Sequence, residues 1–234
     1  MPYTREGILA QVFVALGQGT GALRISHSSC LALAERYAPR LDDAVLADWE
    51  TKAVQVLERL RAIGRTAAAQ ASVAGENVLS AGRLTDAARR VESLSMTELC
   101  PPDPYALSPS ADLLAKGYTR EGILAQVYTA FGQGTGPIRV AHDACLALRD
   151  RYEPFIDADL LDTWDREGVQ VLERIRAIGR AAAMRTSLLG GITVSRAETL
   201  SAMKSVEILS GTSICTRLRQ QHAPTELAAL LALA

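Results

Sequence analysis

The chain has 234 residues, 48% hydrophobic and 22% charged, with a formal net charge of −1. That balance is globular rather than disordered, and a near-neutral chain has no overall field to draw it onto nucleic acid or an anionic membrane surface. Aromatic residues make up only 5% while alanine, leucine and arginine abound, which favours helix over strand.

In chain order, Met1-Pro2-Tyr3-Thr4-Arg5-Glu6 shows no apolar stretch behind a basic start, so no signal peptide is expected. Thr4 is placed to cap a first helix whose apolar stripe is Ile8, Leu9, Val12, Phe13 and Leu16. Gly17-Gln18-Gly19-Thr20-Gly21 is expected to break it. A second helix should run from about residue 22 to Tyr37, before Pro39. The third and longest, over 42–74, carries Leu46, Trp49, Ala53, Val56, Leu60, Ile63 and Ala67 at alternating spacings of three and four. That is a heptad seam. A fourth helix is expected over 82–99.

Four prolines (Pro101, Pro102, Pro104 and Pro109) then mark a stiff connector. Beyond it the pattern recurs. Tyr118–Val127 is identical to Tyr3–Val12, 115 positions on, and the match runs without a gap through Ser72 and Ser187. Later, Gly190 answers Gly75, Val206-Glu207 answers Val91-Glu92, and Cys215 answers Cys100. Ser195-Arg196-Ala197-Glu198 has the form of a capping box for the last helix. The sequence therefore predicts an all-α protein. It is read as a tandem duplication of a four-helix-bundle-like unit, related by a pseudo-two-fold. Repeat 1 spans 1–100, a Pro-rich linker 101–117, repeat 2 118–215 and a helical tail 216–234, and each repeat is large enough for its own core. The C-terminal segment, Pro224 to Ala234, is too short to cross a bilayer, and no run reaches the ~18 apolar residues a span needs. It is expected to pack on the bundle. Four cysteines are too few for a disulfide scaffold, so reduced thiols and a cytoplasmic location are expected.

Three features could carry chemistry. His27 with Cys30, and His142 with Cys145, lie three apart and so share a helix face. Facing one another, the two pairs would make a Cys₂His₂ zinc set, or Cys100 or Cys215 would add a third ligand within a repeat. The alternative is core histidines bonded to backbone beside buried thiols. Gly19-Thr20-Gly21 and Gly134-Thr135-Gly136, read as loops opening a helix, could present amides to phosphate or another anion. They lack the lysine and preceding strand of a P-loop. The run Gln55–Arg65 recurs as Gln170–Arg180 with one change, and its Arg61, Arg65, Arg176 and Arg180 could dock an acidic partner. Fixed polar residues such as Thr4, Arg5, Glu6, Gln11, Gln18 and Arg24 are either buried in networks or used for contact, and Glu6 could pair with Arg24.

The sequence has no Glu-x-x-His pair and no Gly-x-Ser-x-Gly elbow, so catalysis is the weakest reading. It supports a non-catalytic helical interaction or scaffold module, working through two similar faces on a protein partner or by self-association. The alternatives are a metal-binding bundle and a small-ligand or anion binder. Neither nucleic acid nor membrane is an expected partner.

Overall fold

A computed structural model describes residues 3–93 and 117–207. In the first segment the order is α1 (Arg5–Thr20), β1 (Arg24–Ile25), α2 (His27–Tyr37), α3 (Asp43–Ala47), α4 (Trp49–Val73), β2 (Val78–Leu79) and α5 (Ala81–Ser93). The second runs α6 (Arg120–Thr135), β3 (Arg139–Val140), α7 (His142–Tyr152), α8 (Ala158–Leu188), β4 (Thr193–Val194) and α9 (Arg196–Glu207). A 3₁₀ turn follows α2 at Ala38–Arg40 and α7 at Glu153–Phe155. The long third helix is continuous only in the second segment; in the first, Asp48 leaves helical geometry and separates α3 from α4. Among the described residues, no helix is long and apolar enough to cross a membrane. All of the connector but Gly117, the tail, and the cysteines at 100 and 215 lie outside the described residues.

Helix α1 is not a stripe facing one core. It is buried nearly all round, from Gly7 and Ile8 through Val12, Phe13 and Leu16 to Thr20. A helix apolar on every side must be covered on every side. Here α4 of its own segment covers one flank and α6 of the other segment covers another. The buried side chains of both segments accordingly form one continuous cluster rather than two separate cores.

The glycines work differently from the sequence expectation. Gly17, Gln18, Gly19 and Thr20 remain helical, and α1 ends only at Gly21, whose φ of 60° lies in glycine's territory. A Cβ on Gly17 would overlap the carbonyl oxygen of Thr129 in α6, and one on Gly132 would overlap that of Val14 in α1. Gly19 meets the backbone of Arg61 in α4 in the same manner, and Gly64 that of Leu16. These residues set how closely three helices cross.

After Gly21 the chain forms a two-residue strand before α2 begins, so α2 starts five residues later than expected at residue 22. Its cap is Ser26, which accepts from the Ser29 amide at 3.1 Å. Strand β1 pairs in parallel with β2, Arg24 opposite Val78 and Ile25 opposite Leu79. Strand β3 pairs likewise with β4. The Ser29 hydroxyl donates to Leu79 O at 2.8 Å, tying the start of α2 to the turn before α5.

The other end of α2 is held by charge. Arg36 pairs with Glu92 of α5, and Tyr37 Oη donates to the same carboxylate at 2.7 Å. Both charged side chains are nearly enclosed, at 6% and 2% exposure. Arg151, Tyr152 and Glu207 repeat the arrangement, with Arg151 at 24% and so better hydrated. Removing one partner of an enclosed pair strands the other charge. Glu92→Ala should lower unfolding free energy by about 3–5 kcal/mol in urea titration, and Glu207→Ala should cost less. Equal losses would contradict this account of the two sites.

Candidate functional site

Several of the polar residues identical between the two segments, among them Thr4, Gln11, Gln18 and His27, converge where the segments meet. Thr4 caps α1, accepting from Gly7 N at 3.1 Å. Its own amide donates to His142 Nε2 of α7 at 3.1 Å. The imidazole lies where a Cβ on Gly7 would be, and Tyr3 meets it edge-on with centroids 5.2 Å apart. Reciprocally, Thr119 N donates to His27 Nε2 at 3.0 Å, Gly122 leaves room for that ring, and Tyr118 lies 5.3 Å from it. An Nε2 that accepts from an amide leaves the neutral ring's proton on Nδ1.

Two glutamines extend the network. Gln11 Nε2 donates to Val140 O at 3.0 Å while its Oε1 accepts from Trp49 Nε1 at 2.8 Å. Gln18 Nε2 donates to Thr135 Oγ1 and to Ile138 O, at 3.0 and 2.7 Å, and its Oε1 accepts from Arg61 Nε. The second segment returns every bond: Gln126 to Ile25 O with Trp164 behind it, and Gln133 to Thr20 Oγ1 and Leu23 O with Arg176 behind it. These glutamines satisfy carbonyls in and beside the short strands of the opposite segment, groups that would otherwise be buried without partners.

This places each residue singled out from the sequence. His27 and His142 hold the opposite segment's first helix, and among the described residues no three His, Cys, Asp or Glu side chains gather as a ligand set. His27, Cys30, His142 and Cys145 therefore do not come together as four ligands. Both cysteines are fully enclosed, and burial pushes the Cys30 thiol up to about 12 and raises that of Cys145 as well. Such thiols are poor nucleophiles.

The premise of an anion cradle at Gly19, Thr20, Gly21, Gly134, Thr135 and Gly136 is not met. Those residues close α1 and α6, and a helix C-terminus presents carbonyls and the negative end of the dipole. Of the four arginines, Arg61 and Arg176 are buried inside the network, whereas Arg65 and Arg180 face solvent. Glu6 and Arg24 make no ion pair with each other; Arg5 instead donates to Ala38 O at 2.6 Å.

Two equivalent grooves open beside the network, each walled by both segments. One, of about 390 Å³, has Tyr3, Trp49, Val54 and Leu57 facing Arg139 and His142. The other, of about 540 Å³, has Tyr118, Trp164, Val169 and Leu172 facing Arg24 and His27. Gly168 and Asp165 stand where the smaller groove has Ala53 and Glu50. These volumes are in the range of ligand-binding clefts. The sequence held the groove residues, but nothing in it showed that Arg24 would face Val169.

Burial lowers the pKa of both histidines below its ordinary 6.5, opposed in part by nearby carboxylates, Glu121 at His27 and Asp143 and Glu6 at His142. The unfolded chain then binds more protons than the folded chain as pH falls through 6.5, so stability falls with it. Melting temperature should drop between pH 7 and pH 5, and His27→Gln/His142→Gln should flatten that slope; an unchanged slope would remove the histidines as its cause. Iodoacetamide at neutral pH, read residue by residue by mass spectrometry, should leave Cys30 and Cys145 unmodified in the folded chain and label them in urea. Comparison with family models, with curated proteins and with solved structures finds no match to this chain.

Proposed function

We propose that this chain is a non-catalytic helical interaction or scaffold module, a tandem duplication folded as a dimer within one chain. On this reading residues 1–100 and 118–215 are the two repeats, related by a pseudo-two-fold, with 101–117 joining them and 216–234 as an appended tail. Two similar faces, one at each groove, engage a protein partner.

The observation that carries the reading is the use to which the identical polar residues are put. Thr4, Gln11, Gln18, His27, Trp49 and Arg61 spend their hydrogen-bonding groups on the opposite segment or on the residues that reach it. The buried thiols are held neutral. What the two segments present alike to solvent is a pair of grooves with apolar floors and charged rims. A paired surface of this kind suits recognition, because aromatic and aliphatic side chains in a cleft supply the contact area while rim charges set register.

The test is affinity purification of the full chain from its own cells followed by mass spectrometry of what co-purifies, together with native mass spectrometry of the chain alone. A stoichiometric protein partner, or a defined self-assembly, is expected. A chain that stays monomeric and retains no protein at native concentration defeats the reading.

A further inference from the structure

Across the stretch that forms the strand and the start of the following helix, the two segments have diverged almost completely. Ala22-Leu-Arg-Ile-Ser-His-Ser-Ser29 stands against Pro137-Ile-Arg-Val-Ala-His-Asp-Ala144, with only the arginine and the histidine unchanged. The histidine has a structural task in holding Thr119 or Thr4. The arginine has none. Arg24 and Arg139 are exposed, lie in the grooves, and take part in none of the ion pairs or side-chain hydrogen bonds among the described residues.

The facing wall repeats the pattern. Glu50-Thr-Lys-Ala53 stands against Asp165-Arg-Glu-Gly168, where the third position reverses its charge while the first keeps a carboxylate. Neither Glu50 nor Asp165 forms an ion pair among the described residues, and each lines its groove. One turn further on, Val54 and Val169 are identical and remain exposed at 45% and 44%, with Leu57 and Leu172 beside them. An apolar side chain kept at a half-exposed position gains little from folding.

We infer that each groove binds a short extended peptide segment of a protein partner, an apolar side chain seated on Val54 and Leu57 or on Val169 and Leu172. An acidic group of that peptide meets Arg139 or Arg24, and a basic group meets Glu50 or Asp165. Arg139 and Glu50 in one groove, and Arg24 and Asp165 in the other, come from different segments and do not pair with each other, so a ligand carrying both charges satisfies both. This inference rests on the interaction-module reading and names the surface and the chemistry it uses.

The test presents the full chain to a phage-displayed random heptapeptide library, followed by calorimetry with the enriched peptides. Expected are sequences with an apolar centre flanked by one acidic and one basic residue, saturating at two peptides per chain. Val54→Glu/Val169→Glu and Arg24→Glu/Arg139→Glu alter solvent-facing side chains, so the fold is kept, and each should lower affinity about tenfold or more. Arg24→Glu/Arg139→Glu combined with Glu50→Arg/Asp165→Arg should reverse the order of charges selected. Failure to enrich any peptide, or peptides bound equally well by the Val54→Glu/Val169→Glu chain, overturns the inference. If the co-purifying partner still binds that chain, the module reading survives and the groove assignment alone falls.

Discussion

Helices α1 and α6 approach so closely that their backbones touch, and the rest of the arrangement follows from that contact. With glycine at 17 and 132 each helix meets a carbonyl of the other where a side chain would otherwise stand. Gly19 and Gly64 bring α4 equally near to α1 on another flank. Close approach has a direct energetic meaning: dispersion between atoms at contact distance is small singly and large in sum, and a gap of half an ångström forfeits much of it. A methyl group at the crossing would push the helices apart and loosen the packing of Phe13, Leu16 and Phe131, all almost fully enclosed.

Such proximity also buries polar backbone. The strand that follows each first helix lies against the opposite segment, and its carbonyls cannot all reach water. Gln11, Gln18, Gln126 and Gln133 supply the missing donors from inside helices that are otherwise apolar. The tryptophans and arginines behind them fix each amide's orientation, since an oxygen that accepts from Trp49 or Arg61 leaves its nitrogen pointing across the interface. A half-satisfied network of this depth would cost more than an apolar core. This is why the two segments share not single residues but whole chains of them.

The grooves are a consequence of the same geometry. Because β1 with the start of α2 is anchored to α6, and β3 with the start of α7 to α1, each short strand comes to face the long helix of the other segment. Neither groove lies wholly within one segment. Partner recognition, on the reading proposed, is therefore coupled to the assembly of the segments: a change at the crossing moves both grooves at once.

Helical class was legible in the sequence. The spacing of Leu46, Trp49, Ala53, Val56, Leu60, Ile63 and Ala67 predicts the buried side of the long helix; five of the seven are buried, and Leu46 and Ala53 are partly so. Thr4 is expected to cap the first helix and does so. Those features depend on local chemistry, on the helical repeat and on a side chain reaching an amide three residues ahead, so order along the chain is enough to determine them. The two-residue strands were not legible, because so short a run has no periodicity. The role of Gly17 and Gly19 was hidden for a different reason: a glycine that ends a helix and a glycine that lets a second backbone approach are the same letter. His27 beside Cys30 likewise showed that two side chains share a face but not what lies opposite. Only the tertiary structure decided that, by placing the Thr119 amide against the ring and closing the thiol behind it, since the neighbour that uses a lone pair is more than ninety residues away and local sequence holds no record of it.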